Sequence, residues 1–326
     1  MRHLIWTLLW LAAAFPSKAA AIAESFDNDP KLRGWRTFGN GSLFQWEATN
    51  QNLEVTWDSS FTNSLFYRPL GTVLAKSDDF SFSFDLCLRD IAIGVNPEKP
   101  YTFEIALGLC KFSSITNATF FRGAGVSAAY GPRNLVEFDY FPDSGFGATI
   151  APTVVSTNNA IRFSDNHPLE LTPKDLFHVQ MSYTASNRVL RTTMTRNGTN
   201  FVRIYDLSLA GFPDFRVDTF AVISYSDAGQ SPSDAGSILA HGIVDNINWT
   251  VPDPPLIALR GVHTPTRFRA HFYAVTNWLY RLEVTRNFQQ WYLVTEWPPT
   301  TNGPFMLEDT EINPDRAFYR VLANRP

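Results

Sequence analysis

The stretch Asn134–Asp143, with the sequence NLVEFDYFPD, determines how the rest of this chain is interpreted. Apolar and acidic residues alternate along it, so we predict a β-strand that places Glu137 and Asp139 on one face. Two neighbouring carboxylates on a sheet repel each other unless a cation, sugar hydroxyls or a shared proton compensates. The strand is therefore a ligand-binding or metal-binding surface, the remnant of a catalytic surface, or a solvated face.

Short alternating segments separated by turn residues continue on both sides of this stretch. The pair Asn197-Gly198, between two apolar runs, predicts a tight β-hairpin. So many strands with no helical periodicity predict an all-β protein, built as a two-sheet jelly-roll sandwich. We predict strands at residues 43–47, 52–57, 64–68, 80–88, 101–109, 125–130, 135–141, 148–156, 177–184, 190–196, 201–206, 219–225 and 242–250.

The N-terminus has the features of a secretory signal peptide. A basic start at Arg2 precedes the apolar run Leu4–Phe15, and the triplet at residues 21–23, AIA, fits a cleavage site. We therefore assign residues 1–23 to a signal peptide and expect a secreted protein, extracellular or periplasmic, after cleavage near Ala23. The apolar run is shorter than the ~20 residues that a bilayer span requires, and no other segment approaches that length, so we expect no transmembrane segment.

The charge of the chain argues against a polyanionic partner. The formal net charge is −4, and without Arg2 and Lys18 the remaining 25 basic residues face 31 acidic ones, a charge of −6. Because the sequence contains no positively charged patch, we expect no binding to nucleic acid.

The chain contains two cysteines, Cys87 and Cys110. Export permits a disulfide, but both residues fall on the polar faces of their predicted strands. Counting through a tight hairpin does not place the two thiols opposite each other, so the bridge stays an open question. The spacing typical of zinc or redox sites is absent, and we expect no such chemistry through sulfur.

The segment Val251–Pro255, with the sequence VPDPP, cannot continue a sheet and favours an extended spacer. We predict a first domain over residues 24–251, a proline-rich linker at 252–256 and a small C-terminal β domain at 257–326. That second unit is rich in Trp, Tyr and Phe. Its size is near the lower limit for folding alone, so we expect these aromatic residues to form its core rather than a sugar-stacking platform, which is the alternative. Its predicted strands lie at 267–274, 279–285, 291–296, 305–309 and 317–322.

Segments 136–141, 176–196 and 220–249 of the first domain carry a family resemblance. The first resembles the metal-binding strand of the legume lectins, the second is similar to a strand pair of laminin-G-like sandwiches, and the third resembles the two strands before the lectin C-terminus. Together they resemble the concanavalin A-like lectin/glucanase superfamily over roughly Ser25–Val251. This resemblance implies a jelly roll with a concave, sugar-binding sheet.

The C-terminal unit carries a different resemblance, at Asn277–Tyr280, Trp291 and Ala317–Val321. These residues resemble the C-terminal module of large secreted-protein families of Verrucomicrobia. The pairing of that module with a concanavalin A-like domain is also familiar there. The resemblance implies a location outside the cell and an arrangement of domains, but it does not imply an activity.

The lectin resemblance implies a calcium site. In legume lectins the Glu and Asp of this strand bind a transition metal, and the Asp also binds calcium. The positions that match the calcium ligands are Asp139, the carbonyl of Phe141, and Asp143, and oxygen ligands suit calcium. The chain departs from the pattern where the family has a further Asp and a His, since residues 145–151 supply neither. Hydrated acidic residues at a strand end are the alternative interpretation.

The same strand also resembles that of the laminarinase-type glycoside hydrolases. Those enzymes carry a Glu, an Asp and a second Glu on one strand, and the outer two carboxyls act as nucleophile and acid/base. Glu137 and Asp139 match the first two positions. The third position falls on Phe141 or Pro142, which cannot transfer a proton, and Asp143 lies one position too far.

These observations favour a non-catalytic, lectin-like carbohydrate-binding protein. We expect Glu137, Asp139, Tyr140 and Asp143 to contact a glycan or extracellular polysaccharide, with no cofactor other than calcium. Two alternatives remain. One is a laminarinase-like glycoside hydrolase that uses Glu137 and Asp139, and the other is a structural or adhesion protein that associates with the cell surface through its C-terminal domain.

Overall fold

The structure of the protein is a computed structural model that describes residues 20–124, 131–233, 235–252, 257–264, 266–275, 278–310 and 317–324. Within these residues the regular elements are almost entirely strands. Short helical turns occur at Pro30–Arg33, Gly41–Leu43, Phe112–Ile115 (α1) and Arg122–Ala124. The strands are β1 (Ala20–Glu24), β2 (Arg36–Phe38), β3 (Phe44–Glu47), β4 (Asn52–Asp58), β5 (Ser64–Ala75), β6 (Phe80–Ile93), β7 (Ile105–Cys110), β8 (Leu135–Phe141), β9 (Thr149–Val155), β10 (Ile161–Phe163), β11 (Phe177–Thr184), β12 (Val189–Arg196), β13 (Thr199–Arg203), β14 (Leu207–Ser208), β15 (Arg216–Ser224), β16 (Ile238–Val251), β17 (Ile257–Thr264), β18 (Arg267–Ala274), β19 (Leu279–Thr285), β20 (Tyr292–Trp297), β21 (Gly303–Asp309) and β22 (Phe318–Asn324).

Two large antiparallel sheets form the first part of the molecule. A nine-stranded sheet has the order β13-β12-β11-β6-β16-β4-β3, with β1 paired to β16 and β14 paired to β12. A seven-stranded sheet has the order β10-β9-β8-β7-β15-β5-β2. Their inner faces pack on each other, since Phe84 contacts Phe138 at 5.6 Å and Trp249 stacks on Phe220 at 5.5 Å between ring centroids. The prediction of an all-β, two-sheet sandwich is confirmed.

Period-two alternation explains why these strands form a sandwich. Along β6, Phe80, Phe82 and Phe84 are buried against the opposite sheet, while Ser81 and Ser83 between them are half-buried on the outer face. Burying one such side chain contributes roughly 2 kcal/mol from apolar surface alone. The Asn197-Gly198 turn is confirmed as well, because Arg196 pairs with Thr199 across it.

The two cysteines lie in different sheets, and both are free thiols. Cys87 is on β6 of the nine-stranded sheet, and Cys110 is on β7 of the seven-stranded sheet. Each side chain points to the outer face of its own sheet, on opposite sides of the sandwich, so the two thiols cannot be bridged. Cys110 lies on the face of β7 that the alternation predicts, but that face is covered, and Cys110 is completely buried.

Two three-stranded sheets, β17-β18-β21 and β20-β19-β22, form the C-terminal part. They share a small core of their own, separate from the core of the sandwich. The expectation that its aromatics form this core is right for Trp278 and Tyr280 but wrong for Tyr292 and Trp297, which are exposed on the edge strand β20. The core residues are Ala270, Phe272, Ala274, Trp278, Tyr280, Leu282 and Leu307.

Strand β1 consists mainly of residues that the sequence analysis assigns to the signal peptide. Ala20–Glu24 pairs with Ile247–Val251 of β16, and cleavage after Ala23 would remove four of the five residues of β1. Glu24 is buried and accepts hydrogen bonds from the backbone N–H of Phe26 and the indole N–H of Trp35. The basic start and the apolar run at residues 1–19 lie outside the described residues, so the signal peptide stays a prediction.

We expect a chain that begins at Ala20 to be more stable than one that begins at Glu24. The longer chain keeps the backbone hydrogen bonds to β16 and the partly buried side chain of Ile22. The difference should be roughly 2 kcal/mol in the free energy of unfolding. Urea denaturation of the two purified chains measures it, and equal midpoints would show that β1 adds nothing to the sandwich.

Candidate functional site

Strand β8 carries the two carboxylates singled out in the sequence, and both of its faces are buried. Phe138 faces the core between the sheets, whereas Glu137 and Asp139 point to the outer face of the seven-stranded sheet, on one side as predicted. Their exposed fractions are 0% and 1%. In this structure the two carboxylates therefore do not reach a solvent-filled groove.

The connection between β7 and β8 covers this part of the outer face. The ring of Phe112 packs on Tyr67 of β5 at 4.5 Å, and the ring of Phe120 lies 6.0 Å from that of Tyr225. Arg122 follows, in the short helical turn Arg122–Ala124. Three side chains of one connection thus rest on residues that a bare sheet would expose.

The guanidinium of Arg122 contacts three buried carboxylates. Its Nη2 donates a hydrogen bond to Oδ2 of Asp139 at 3.2 Å and lies 3.7 Å from Oε2 of Glu137. Its Nε lies 2.5 Å from Oε1 of Glu104, the residue just before β7. The hydroxyl of Tyr225 donates to Oε1 of Glu137, and the Tyr225 ring centroid lies 5.3 Å from the Arg122 guanidinium carbon.

The charges of this cluster do not balance if every carboxyl is ionised. Burial raises the pKa of Glu104 to about 8, even though the guanidinium of Arg122 opposes the rise. Burial, together with the charge of Asp139, raises the pKa of Glu137 well above its ordinary value, and burial also raises the pKa of Asp139. Each shift disfavours a buried anion, so the cluster holds protons near neutral pH.

Three carboxylate oxygens of the cluster are buried without a hydrogen bond. Oε1 of Glu104, Oε2 of Glu137 and Oδ1 of Asp139 are inaccessible to solvent and have no hydrogen-bonding partner among the described residues, although Arg122 lies within ion-pair distance of the first two. A buried acceptor without a partner costs on the order of 1–3 kcal/mol. Such a group marks a place where the fold is not optimised for stability alone.

The side chains around the two carboxylates are unusually small. On the neighbouring strands, Asp139 pairs with Ala106 and Ala151, and Glu137 pairs with Gly108. A Cβ at Gly108 would lie 2.4 Å from the carbonyl oxygen of Val136, so only glycine permits this spacing of β7 and β8.

Tyr140 and Asp143, the other two predicted binding residues, lie at a different place. Both line an open groove of 690 Å³ at one end of the sandwich, where the end of β6, the β8–β9 turn and the β10–β11 connection meet. Asp143 and Glu170 are exposed there, while Tyr140 is buried and its hydroxyl accepts a hydrogen bond from the backbone N–H of Leu171. The remaining lining is largely apolar: Ile91, Ile93, Pro142, Gly147, Ala148, Pro168 and Pro173.

An exposed aromatic ring stands at the rim of this groove. Phe146 is 79% exposed, and its ring lies 5.5 Å from that of His167. The next residues in the chain, Gly147 and Pro168, line the groove itself. The β8–β9 turn is braced by Ser144, whose hydroxyl hydrogen-bonds with that of Thr149 at 2.9 Å. The groove therefore combines carboxylates, apolar walls and a free aromatic face.

The residues expected to hold calcium do not fit that ion as they are arranged. The carboxylate of Asp139 faces Arg122, while Asp143 is exposed in the turn after β8 with a φ of 49°. Phe141 is half-buried at the end of β8. In the described parts of the chain, no group of three or more His, Cys, Asp or Glu side chains is arranged to hold a metal ion. The calcium site stays a prediction.

The sequence did not single out Glu104, Arg122 or Tyr225 as site residues. Glu104 was detectable in part, because it falls on the polar face of the strand predicted at 101–109. What the sequence could not show is that this strand lies beside β8 in the sheet. Arg122 is in an irregular connection, and Tyr225 follows β15, so only the tertiary structure brings them to Glu137.

Comparison with solved structures finds several lectins and a lyase to which this chain is distantly similar. Lectin II from Ulex europaeus is 13% identical, with a TM-score of 0.45 and an alignment that covers 72% of this chain and 98% of the lectin. The Lotus tetragonolobus seed lectin is 14% identical, with a TM-score of 0.43 over 73% and 100% of the two chains. An alginate lyase is 11% identical, with a TM-score of 0.40 over 72% and 97%. At such identities the likeness concerns the fold alone.

Comparisons at the sequence level add nothing to this result. No protein-family model and no curated protein matches the chain. The resemblance of the C-terminal unit to a module of Verrucomicrobia proteins therefore stays a prediction. Among the described residues, none of the helices has the length and apolar character needed to cross a bilayer.

The acidic cluster should make the protein less stable as the pH rises. In the unfolded chain Glu104 loses its proton near 4.5, but in the folded protein it keeps the proton up to about 8. Because the folded state binds more protons in this window, the free energy of unfolding falls from about pH 4.5 to about pH 8. The change from this group is on the order of 3 to 5 kcal/mol.

Glu104→Gln should reduce this slope, since the amide has a similar size and does not titrate. Urea denaturation at pH 5, 6.5 and 8.5 measures the free energy of unfolding of both proteins. We expect the variant to gain stability relative to the natural chain as the pH rises. Glu98→Gln, at an exposed position, is the matched control. If the free energy of unfolding changes with pH in the same way for the natural chain and for Glu104→Gln, the assignment of the proton to this cluster is contradicted.

Proposed function

We propose that this protein binds carbohydrate outside the cell, with the glycan in the groove between the β8–β9 turn and the β10–β11 connection. The observation that carries the proposal is the lining of that groove, with Asp143 and Glu170 beside apolar walls and Phe146 at its rim. Its volume of 690 Å³ lies within the ~300–1,000 Å³ usual for ligand sites.

A sugar ring offers two kinds of surface, and the groove matches both. Its hydroxyl groups donate hydrogen bonds, which the carboxylates of Asp143 and Glu170 can accept. Its C–H face is apolar and packs on an aromatic ring, which Phe146 presents to solvent. Tyr140 supports the wall, because its hydroxyl is already occupied by the backbone of Leu171. Its role is to position the groove rather than to contact the ligand.

A second candidate function is glycoside hydrolysis at the cluster beneath the β7–β8 connection. Glu104 favours it, because this residue supplies a third carboxyl beside Glu137 and Asp139 and is protonated at neutral pH. A glycosidase needs one ionised and one protonated carboxyl near each other. The arrangement requires exposure of the carboxyls to substrate, and Arg122 separates them from solvent in this structure. We therefore rank binding above hydrolysis.

Variants of the groove test the proposal. Asp143→Asn and Glu170→Gln remove hydrogen-bond acceptors, and Phe146→Ala removes the exposed ring. A glycan array of plant, algal and bacterial polysaccharides first identifies a binder, and calorimetry then gives its Kd. Each variant should raise the Kd by about 5- to 10-fold, which corresponds to roughly 1 to 1.4 kcal/mol.

Phe61→Ala and Glu98→Gln are the matched controls, because both positions are exposed and neither lines the groove. Their affinities should equal that of the natural chain. Absence of binding across the array, or equal losses in groove and control variants, would overturn the proposal. Release of reducing ends from β-glucans or galactans that is lost in Glu137→Gln and Glu104→Gln would instead support the second candidate.

A further inference from the structure

The groove of the proposed function has negative charge on its walls and no positive charge. Of the ten residues that line it, Asp143 and Glu170 are acidic, and none is lysine, arginine or histidine. Both carboxylates are exposed, and neither has an ion-pair partner among the described residues. A ligand that enters the groove therefore meets two carboxylates whose charge the protein itself does not compensate.

The two carboxylates act on the same part of the groove, although they come from different segments. Asp143 is in the β8–β9 turn and Glu170 is in the β10–β11 connection. Burial raises the pKa of Tyr140 to about 12, and the charges of Glu170 and Asp143 both contribute to this rise. Both carboxylates are thus close enough to the Tyr140 hydroxyl to act on it, so a ligand at this wall is exposed to both charges.

The backbone on both sides of Glu170 is anchored to the sandwich. The N–H of Leu169 donates a hydrogen bond to the carbonyl of Ala148 at 2.6 Å. The N–H of Leu171 donates a hydrogen bond to the hydroxyl of Tyr140 at 3.1 Å. The carboxylate of Glu170 therefore extends from a fixed backbone, and little freedom is lost when it binds a ligand.

The charges that surround the groove do not reverse its sign. Asp90 and Lys174 each adjoin a lining residue in the chain, and their opposite charges offset each other. His167 lies at the rim, with its ring 5.5 Å from that of Phe146. Over a longer range, residues 24–256 contain 25 acidic and 17 basic residues, a formal charge of −8. The field of this part of the chain therefore also attracts cations and repels anions.

We propose that the groove selects its glycan by charge, so that it prefers a hexosamine with a free amino group to the N-acetylated sugar and excludes uronic acids. This inference rests on the proposed function and names the ligand class of the same groove. An ammonium group donates charge-assisted hydrogen bonds to the carboxylates of Asp143 and Glu170, whereas an acetamido group offers one neutral donor. A uronate would bring a third carboxylate beside these two without a cation, which is repulsive.

Three β-1,4-linked pentamers of equal length test this selection, made of glucosamine, N-acetylglucosamine and glucuronic acid. Calorimetry at pH 6, where a sugar amine carries a proton, gives each Kd in 20 mM and in 500 mM sodium chloride. At low salt we expect the glucosamine pentamer to bind about 3- to 10-fold more tightly than the acetylated one. The difference should shrink at high salt, because ions screen exposed charges. The glucuronate pentamer should not bind.

A charge reversal at Glu170 separates the groove from the net charge of the protein. Glu170→Lys should lose the preference for glucosamine and gain binding of the glucuronate pentamer. Asp143 is less suitable for this change, because its φ of 49° tolerates asparagine better than lysine. Glu98→Lys is the matched control, since it changes the net charge equally at an exposed position outside the groove. It should keep the preference of the natural chain, and the circular dichroism of both variants should match that of the natural chain.

Three results would overturn the selection by charge. The first is a glucosamine pentamer that does not bind, or that binds no more tightly than the acetylated one. The second is binding of the glucuronate pentamer by the natural chain. The third is an equal loss of preference in Glu98→Lys and Glu170→Lys, since the net charge would then explain it. If another glycan still binds in the groove, the proposed function survives each of these results, whereas a chain that binds no glycan at all contradicts both proposals.

Discussion

Strand β8 is buried on both faces, and this constraint governs the rest of the structure. Its inward side chains, such as Phe138, meet β6 of the opposite sheet and hold the two sheets together. Its outward side chains, Glu137 and Asp139, are carboxylates that cannot remain ionised in a dry site without a partner. The chain supplies Arg122 from the β7–β8 connection, which also packs Phe112 and Phe120 on the sheet. One strand thus contributes both to the sandwich core and to the buried cluster on its outer face.

The fold was predictable because its main signal is local. Alternation at period two identifies a strand and its inward face without knowledge of its neighbours, and the predicted bounds of 135–141 and 177–184 agree with β8 and β11. The strands that the sequence missed, such as β1, β2 and β17, lack that local signal or were attributed to other segments. Their β-structure depends on pairing with a neighbouring strand, as β1 does with β16. The strand predicted at 125–130 lies outside the described residues.

Only part of the candidate site was predictable, because alternation is a local signal. Alternation correctly placed Glu137 and Asp139 on one face, but it cannot tell whether that face is open. The answer depends on contacts distant in sequence, since Glu104 and Tyr225 lie 33 and 88 residues from Glu137. The groove of Tyr140 and Asp143 likewise requires Ile91 and Glu170, from segments that meet only in the folded chain. Four residues that look like one motif along the strand therefore belong to two separate sites.

Glu104 adds to the cluster the third carboxyl that strand β8 itself lacks. Along β8 the position that would hold a second glutamate is occupied by Phe141 or Pro142, which argues against hydrolysis when the strand is considered alone. A sheet, however, can supply a carboxyl from the adjacent strand, and Glu104 arrives in that way with a raised pKa. The obstacle to catalysis by these three carboxyls is thus their accessibility rather than their residue type. Arg122 contacts all three acids and opposes the rise in the pKa of Glu104, and its side chain lies over them in this structure, so the protonation of the cluster and its accessibility depend on the same contacts.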